Sequence, residues 1–162
     1  LLIAIVTFHS GYSPRATNNN GIFSTVYFDA TELSLIDDVE HFKFEDGKWL
    51  FATYASNGED IAEALYLMRQ LNVALNRDIN KLKRVIFSKD RKELESQLVD
   101  YPRIQVIIDS EDNLYEKLLE TGNKEFFLDQ KIFIIDPYGR AVMFFPVSMD
   151  PKLILKDLKV LI

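Results

Sequence analysis

The amino-acid sequence predicts an α/β fold with a central mixed sheet flanked by helices. Apolar runs typical of strands alternate with segments of helical spacing along most of the chain. Such alternation favours a parallel core, and two strands in succession near the C-terminus predict an antiparallel addition. The 162 residues, 48% of them hydrophobic, suffice for one domain with a buried core.

Five apolar segments predict the main strands. The first, Lys-Trp-Leu-Phe-Ala-Thr-Tyr-Ala-Ser, is nearly continuous in apolar character, as in a strand buried on both faces. The turn 136–139 has proline at its second position and predicts a hairpin between its neighbours. A shorter alternating segment, 41–44, predicts a lead-in strand. The five segments are 48–56, 82–87, 104–108, 131–135 and 141–145.

Four segments have helical patterns. The first begins at Ile61, and its apolar stripe holds Ile61, Leu65, Met68 and Leu75, with Leu71 beside it. The second and third are predicted over 91–99 and 111–120. Asp150 and Pro151 supply an N-cap and a first-turn proline for the last helix. Its predicted buried residues are Leu153, Ile154, Leu158 and Leu161.

The resulting element order is one strand, three strand–helix units, two strands and a helix. A βαβ unit followed later by ββα is the plan of the thioredoxin fold, here with one inserted βα unit. The sequence therefore predicts a thioredoxin-like domain over 47–162, preceded by a segment, 11–46, that contains the lead-in strand.

Composition excludes several functions. The net charge of −6 argues against nucleic acid as a partner, and the absence of cysteine excludes disulfides, thiol redox chemistry and cysteine-bound metals. The two histidines, His9 and His41, lie far apart in sequence and predict surface positions rather than a metal pair. We find no pattern of catalytic residues and no glycine-rich phosphate loop. The sequence thus predicts neither an enzyme nor a cofactor.

The chain opens with an uncharged apolar run, 1–8, which fits either a buried strand or the end of a transmembrane helix that starts before residue 1. Tyr12 and Arg15 follow where interfacial anchors of a membrane helix are expected. We favour the membrane interpretation, with the anchor ending within 1–10. The alternative is a soluble cytoplasmic domain.

Five motifs, in this order and spacing, carry a family resemblance. They are Tyr-Ser-Pro-Arg-Ala-Thr-Asn-Asn-Asn-Gly at 12–21, Gly-Lys-Trp-Leu at 47–50, Ala-Leu-Tyr-Leu-Met-Arg-Gln at 64–70, Asp-Pro-Tyr-Gly-Arg at 136–140 and Asp-Pro-Lys-Leu-Ile-Leu-Lys-Asp-Leu at 150–158. Together they resemble a family of small proteobacterial membrane proteins related to Sco, the copper-delivering assembly factors of cytochrome c oxidase.

The resemblance implies a Sco/peroxiredoxin-type thioredoxin-like domain, held in the periplasm by a single N-terminal inner-membrane helix. Relatives carry a Cys-x-x-x-Cys motif and a later histidine. The corresponding positions here are near Asn57 and Ile61, with Leu128 in the region of the histidine. These residues cannot exchange disulfides or bind Cu(I), which prefers soft sulfur ligands. The copper and redox site is therefore predicted to be lost.

Two interpretations of the remaining polar residues stay open. Tyr54, Asn57, Gly58 and Glu59 form either a vestigial loop or a retained docking surface. Separately, Glu59, Asp60, Asp109 and Asp136 either cap helices and turns or converge at one sheet edge as a cation site.

The leading functional hypothesis is a non-catalytic, membrane-anchored protein that binds other proteins. The implied role is that of a scaffold or assembly factor in cytochrome c oxidase biogenesis, with oxidase subunits or assembly factors as partners. The alternatives are a small-molecule or cation-binding module and an accessory subunit of another membrane complex.

Overall fold

A mixed sheet runs through the computed structural model, which describes residues 21–23, 29–56, 59–121 and 124–162. Within these residues the sheet has eight strands, in the order β1-β8-β7-β4-β5-β6-β2-β3. The strands are β1 (Ile22–Phe23), β2 (Leu35–Asp37), β3 (Glu40–His41), β4 (Trp49–Ala55), β5 (Leu82–Ser88), β6 (Gln105–Asp109), β7 (Lys131–Ile135) and β8 (Ala141–Pro146).

Strand directions divide the sheet into two parts. Strands β4, β5 and β6 are parallel, whereas β7 and β8 continue the sheet beside β4 as an antiparallel hairpin. This arrangement confirms the predicted mixed sheet, with β4 at the junction of its two parts. All of β4 after Trp49 is buried, as expected for a strand covered on both faces.

Helices cover both faces of the sheet. They are α1 (Ala62–Ala74), α2 (Asn113–Thr121) and α3 (Pro151–Leu161). Side chains that alternate along each strand supply two cores. One core, which includes Phe51 and Ile86, packs with α1 and α3, and the other, which includes Leu50 and Phe87, packs with α2.

The apolar stripe predicted for the first helix is confirmed, since all five of its residues are buried. The predicted buried face of the last helix is confirmed at Ile154 and Leu158, whereas Leu153 is exposed and its prediction is wrong. Leu161 is partly buried. Asp150 caps this helix as predicted and accepts a hydrogen bond from the Lys152 N–H.

The helix predicted over 91–99 is wrong. The chain forms a short 3₁₀ turn at Lys92–Leu94 and then turns until β6. Leu94 is buried and Leu98 is partly buried, but most of the segment is exposed to solvent. An isolated helix of this length is marginal without an apolar face packed on the protein, so local turns replace it.

The lead-in segment is more closely integrated than the sequence predicts. The strand expected over 41–44 is reduced to the two residues of β3, and Phe42 and Phe44 pack against the second core. The described part of 11–46 supplies β1 at one sheet edge and β2 and β3 at the other. These strands therefore extend the sheet at both of its edges.

The predicted membrane anchor, 1–10, lies outside the described residues. Among the residues that are described, no helix has the length and apolar character needed to cross a bilayer.

Candidate functional site

The parallel strands end together at one side of the sheet. Ala55, Ser88 and Asp109 are the last residues of β4, β5 and β6, and we call this side, with the loops that follow the three strands, the carboxyl edge. Ligands of open α/β sheets bind beyond the carboxyl ends of parallel strands. This edge is therefore where a functional site is expected.

A buried tyrosine–aspartate pair lies beneath the carboxyl edge. The Tyr54 hydroxyl donates a hydrogen bond of 2.9 Å to Asp109 Oδ2, and the Leu114 and Tyr115 N–H groups donate to the same carboxylate at 3.1 and 2.9 Å. Burial, followed by the negative charge of Asp109, raises the pKa of Tyr54 far above its ordinary value. The phenol therefore stays protonated, and the carboxylate holds the start of α2.

An aromatic layer covers this pair. The rings of Tyr115 and Phe127 stack at a centroid distance of 4.6 Å, and Tyr54 meets Phe127 edge-on at 5.6 Å. The Lys89 ammonium lies 4.3 Å from the Tyr115 ring centroid. Next to Phe127 in the chain, Leu128 is 80% exposed. Lys89 also forms an ion pair with Asp112 at 3.3 Å. The layer thus borders an exposed apolar side chain and an ion pair.

The loop between β4 and α1 is held by its own side chains. Ser56 Oγ donates to Glu59 Oε2 at 2.9 Å, and Asp60 accepts from the Ala62 N–H at 2.9 Å. Gln97 bridges the loop: its Oε1 accepts from the Ile61 N–H at 2.9 Å, and its Nε2 donates to the Glu59 carbonyl at 3.1 Å. The described residues of this loop are therefore held by hydrogen bonds to one another and to Gln97.

The predicted site residues fall in different environments. Ile61 is fully buried in the core beneath α1, whereas Leu128 is at the surface. Tyr54, predicted as part of a docking loop, is only 3% exposed and packs in the second core. Glu59 is partly exposed. Asn57 and Gly58 lie outside the described residues.

Of the two interpretations of the four carboxylates, convergence at one sheet edge does not hold for Asp136. Because β7 runs antiparallel to β4, with Leu50 opposite Ile135, Asp136 lies at the side of the sheet opposite the carboxyl edge. There it accepts hydrogen bonds from the Tyr138 and Arg140 N–H groups and from Arg140 Nε. Within the described ranges, no group of three histidine or acidic side chains could hold a metal. Asp109 instead caps α2, and Asp136 holds the turn that follows β7. Glu59 and Asp60 accept hydrogen bonds within the loop before α1.

The sequence did not predict the Tyr54–Asp109 pair, although it singled out both residues. Finding it requires the sheet order: Tyr54 is opposite Phe87, and Phe87 is opposite Ile107, two residues before Asp109. Residues two apart on a strand share a face, so the three strands bring the phenol and the carboxylate together. The contact could therefore be predicted only from the register of the three strands, and the pattern of a single segment does not give that register.

A mixed sheet of this order, with helices on both faces and α1 leaving the carboxyl edge of β4, defines a thioredoxin-like protein. Residues 49–162 match the profile of the family described as transmembrane-like, thioredoxin-like, C-terminal domain. The chain therefore belongs to this family. No curated protein sequence matches it.

Solved structures share the fold at low sequence identity. The apo Sco1 protein from Thermus thermophilus has a TM-score of 0.60 at 11% identity and covers 92% of this chain and 100% of its own. BsSco, a member of the Sco family of cytochrome c oxidase assembly proteins, has a TM-score of 0.57 at 15% identity, with coverages of 91% and 97%. A thiol-disulfide oxidoreductase from Bacteroides fragilis has a TM-score of 0.55 at 16% identity, with coverages of 86% and 99%.

Proposed function

We propose that this chain is a non-catalytic, membrane-anchored member of its family that binds other proteins, as a scaffold or assembly factor linked to cytochrome c oxidase biogenesis. The family description and the fold shared with Sco proteins support this assignment. The absence of cysteine from the sequence supports loss of thiol and Cu(I) chemistry.

The observation that carries the proposal is the internal pairing at the carboxyl edge. The Asp109 carboxylate accepts three hydrogen bonds, and Glu59 and Asp60 are both used in holding the loop before α1. One position that corresponds to a relative's cysteine, Ile61, is buried in the core. These carboxylates are occupied in holding the fold, which favours a structural and binding role.

The surface above the pair is suited to protein contact. Leu128 is exposed next in the chain to Phe127, whose ring stacks on Tyr115, and Lys89 adds a charged group that is paired with Asp112. Aromatic and apolar side chains with a nearby charge are typical of the central contacts in protein interfaces. The proposed docking surface is therefore centred on Leu128 and the aromatic layer, with Glu59 at its border.

Site-specific photo-crosslinking in native membranes tests the docking surface. A photo-crosslinking amino acid is placed at Leu128, and the control is placed at Val160, which is 76% exposed on α3. We expect one discrete crosslinked protein from the Leu128 position and none from Val160. Equal, diffuse crosslinking from both positions, or none from either, would contradict the proposed surface.

The alternative of a cation-binding module requires the carboxylates to converge at one sheet edge. Asp136 instead lies at the opposite side of the sheet from Asp109. Titration of the full chain with divalent cations should therefore leave its melting temperature unchanged. A cation that bound the native state would raise it.

A further inference from the structure

Two other arginines, Arg69 and Arg103, lie close enough to Arg84 for their charges to act on it. Arg84 lies in β5 between Leu82 and Ile86, both in the core beneath α1, while Arg69 is on α1 and Arg103 precedes β6. We call Arg69, Arg84 and Arg103 the arginine cluster. In the part of the chain that the structure describes, Arg84 Nη1 is buried and has no hydrogen-bond partner.

The cluster has aromatic neighbours in place of carboxylates. The Arg69 guanidinium carbon lies 4.8 Å from the ring centroid of Tyr101 and 5.8 Å from that of Tyr66. Burial, followed by the nearby charges of Arg69 and Arg103, lowers the pKa of Arg84. No described carboxylate is among the groups that act on this pKa.

Several other cations of the protein pair with carboxylates, as Lys83 does with Asp46 and Arg91 with Asp38, each at 2.9 Å. Arg84 differs from these in having a buried nitrogen without a hydrogen-bond partner among the described residues. Burying a guanidinium nitrogen without a partner is unfavourable, and like charges nearby add to this cost. An anion at the cluster would relieve both effects, even though the protein as a whole carries a charge of −6.

The shape beside the cluster indicates what kind of anion fits. The outer face of α1 exposes Tyr66 by 48% and Val73 by 59%. An open depression of about 480 Å³, lined by Arg69, Gln70, Val73 and Ala74, follows this face. An open surface that combines cations with apolar side chains suits a chain segment better than a small enclosed anion.

We propose that the arginine cluster and the outer face of α1 bind an acidic segment of a partner protein. A carboxylate of the segment occupies the position between Arg69 and Arg84, where the guanidinium groups provide charge-assisted hydrogen bonds. Apolar side chains of the segment pack on Tyr66 and Val73. The proposal rests on the proposed function, to which it adds the chemistry of the partner.

Binding of a defined peptide to the full chain tests this directly. The probe is a fluorescein-labelled peptide of about 12 residues that alternates Glu with Leu, and a matched peptide replaces Glu with Gln. Fluorescence anisotropy at low salt should show binding of the Glu peptide, weakened by added salt. The Gln peptide should bind at least about tenfold more weakly.

Variants locate the site. Arg84→Met and Arg69→Gln should each weaken peptide binding about tenfold, and Arg103→Gln should weaken it about threefold. The control is Arg77→Gln, which removes the same charge from an exposed position outside the cluster and should change the affinity less than about twofold. Because Arg69 and Arg103 are not fully buried, their variants test the site even if Arg84→Met does not fold.

Several outcomes would overturn the proposal. They are absence of peptide binding, equal binding of the Glu and Gln peptides, and losses in the cluster variants no greater than in the Arg77 control. Binding of inorganic phosphate alone, abolished by the same variants while the peptide does not bind, would make this a small-anion site and also refute the proposal.

If the peptide does not bind but Leu128 still crosslinks to a protein, the proposed function stands without this inference. If the peptide binds and no crosslink forms, the proposed docking surface fails instead.

Discussion

Tyr54 and Asp109 determine, at the scale of single residues, what the carboxyl edge can do. The phenol is held protonated, and the carboxylate is occupied by three donors. A group that transfers protons in catalysis needs a pKa near the working pH and access to a substrate. Burial and the charge of Asp109 raise the pKa of Tyr54, and its side chain is only 3% exposed. Tyr54 therefore lacks both a suitable pKa and access to a substrate. The pair therefore acts as a structural link between β4, β6 and α2.

Removing the Tyr54 hydroxyl should destabilise the fold without changing its shape. Tyr54→Phe deletes the hydrogen bond to Asp109, which keeps its two backbone donors. We expect a loss of about 1 to 2 kcal/mol in the free energy of unfolding, measured in urea. Tyr66→Phe is the control, because its hydroxyl accepts an exposed bond from Gln70, and it should cost less than about 0.5 kcal/mol. Equal losses would contradict the structural role.

The same pair predicts an alkaline effect. The pKa of Tyr54 is raised in the folded state, from an ordinary value of 10.0, so its contribution to stability is complete below that value and is lost as the pH rises above it. The advantage of the wild type over Tyr54→Phe should shrink by up to about 1.4 kcal/mol per pH unit above pH 10. Urea unfolding of both proteins between about pH 8 and 11 measures this. A constant difference would refute it.

A thiol introduced at Ile61, near which the family resemblance places a relative's cysteine, should be inert in the folded protein. Ile61 is fully buried, so the thiol of Ile61→Cys should react with an aromatic disulfide reagent only when the protein unfolds. Removal of core volume should also cost about 1 to 3 kcal/mol. Leu128→Cys, at an exposed position, should react rapidly in the folded protein. Similar rates for the two native variants would show that the loop before α1 opens.

Secondary structure was predictable from the sequence wherever local pattern and tertiary packing agree. The strand predicted over 131–135 has those bounds in the structure, because its apolar run is buried on both faces. The helix predicted over 91–99 is wrong because the segment has too few buried side chains to pack a helix against the core. Because β7 runs antiparallel to β4, Asp136 at its end lies at the side of the sheet opposite Asp109. The local pattern of β7 does not contain this direction.

The β7–β8 hairpin depends on glycine at one position. Gly139 has a φ of +92°, and a Cβ there would lie 2.5 Å from Thr31 Cγ2. Its carbonyl also accepts from the Ala30 N–H at 2.6 Å, which ties the lead-in segment to the hairpin. The turn therefore needs glycine both for its backbone conformation and for the close approach of residues 29–31.

Two alanine substitutions separate these effects. Gly139→Ala should cost roughly 2 to 4 kcal/mol in unfolding free energy, from backbone strain plus the clash with Thr31. Gly47→Ala should cost about 1 kcal/mol, since Gly47 also has positive φ but no atom lies within 4 Å of its added Cβ. Urea unfolding of both variants gives the comparison. Losses of the same size would mean that residues 29–31 do not pack on the hairpin.

For the whole molecule, the sequence predicted the fold class but only parts of the site. It placed Tyr54 and Asp109 each at the end of a strand, yet their contact depends on the register of three strands. The arginine cluster was not predicted either, because Arg69, Arg84 and Arg103 come from separate elements. Contacts between elements depend on the whole fold, so the pattern of a single segment does not predict them.

The two proposed contact regions are both surfaces for binding a partner protein. The carboxyl edge presents Leu128 and the aromatic layer, while the outer face of α1 presents cations with Tyr66 and Val73. Both are surfaces on a rigid α/β scaffold. Neither requires a cofactor to bind a partner, which fits a protein that works through association.

The central claim is that this chain works by stable binding to another membrane protein, and its recovery from native membranes tests that claim most directly. The tagged full-length protein is purified in mild detergent, and the proteins that stay bound are identified and quantified by mass spectrometry. We expect a membrane protein in near-stoichiometric amount, with oxidase subunits or assembly factors as its identity. A different membrane complex would remove the link to the oxidase, and a chain recovered alone and monomeric would contradict the account.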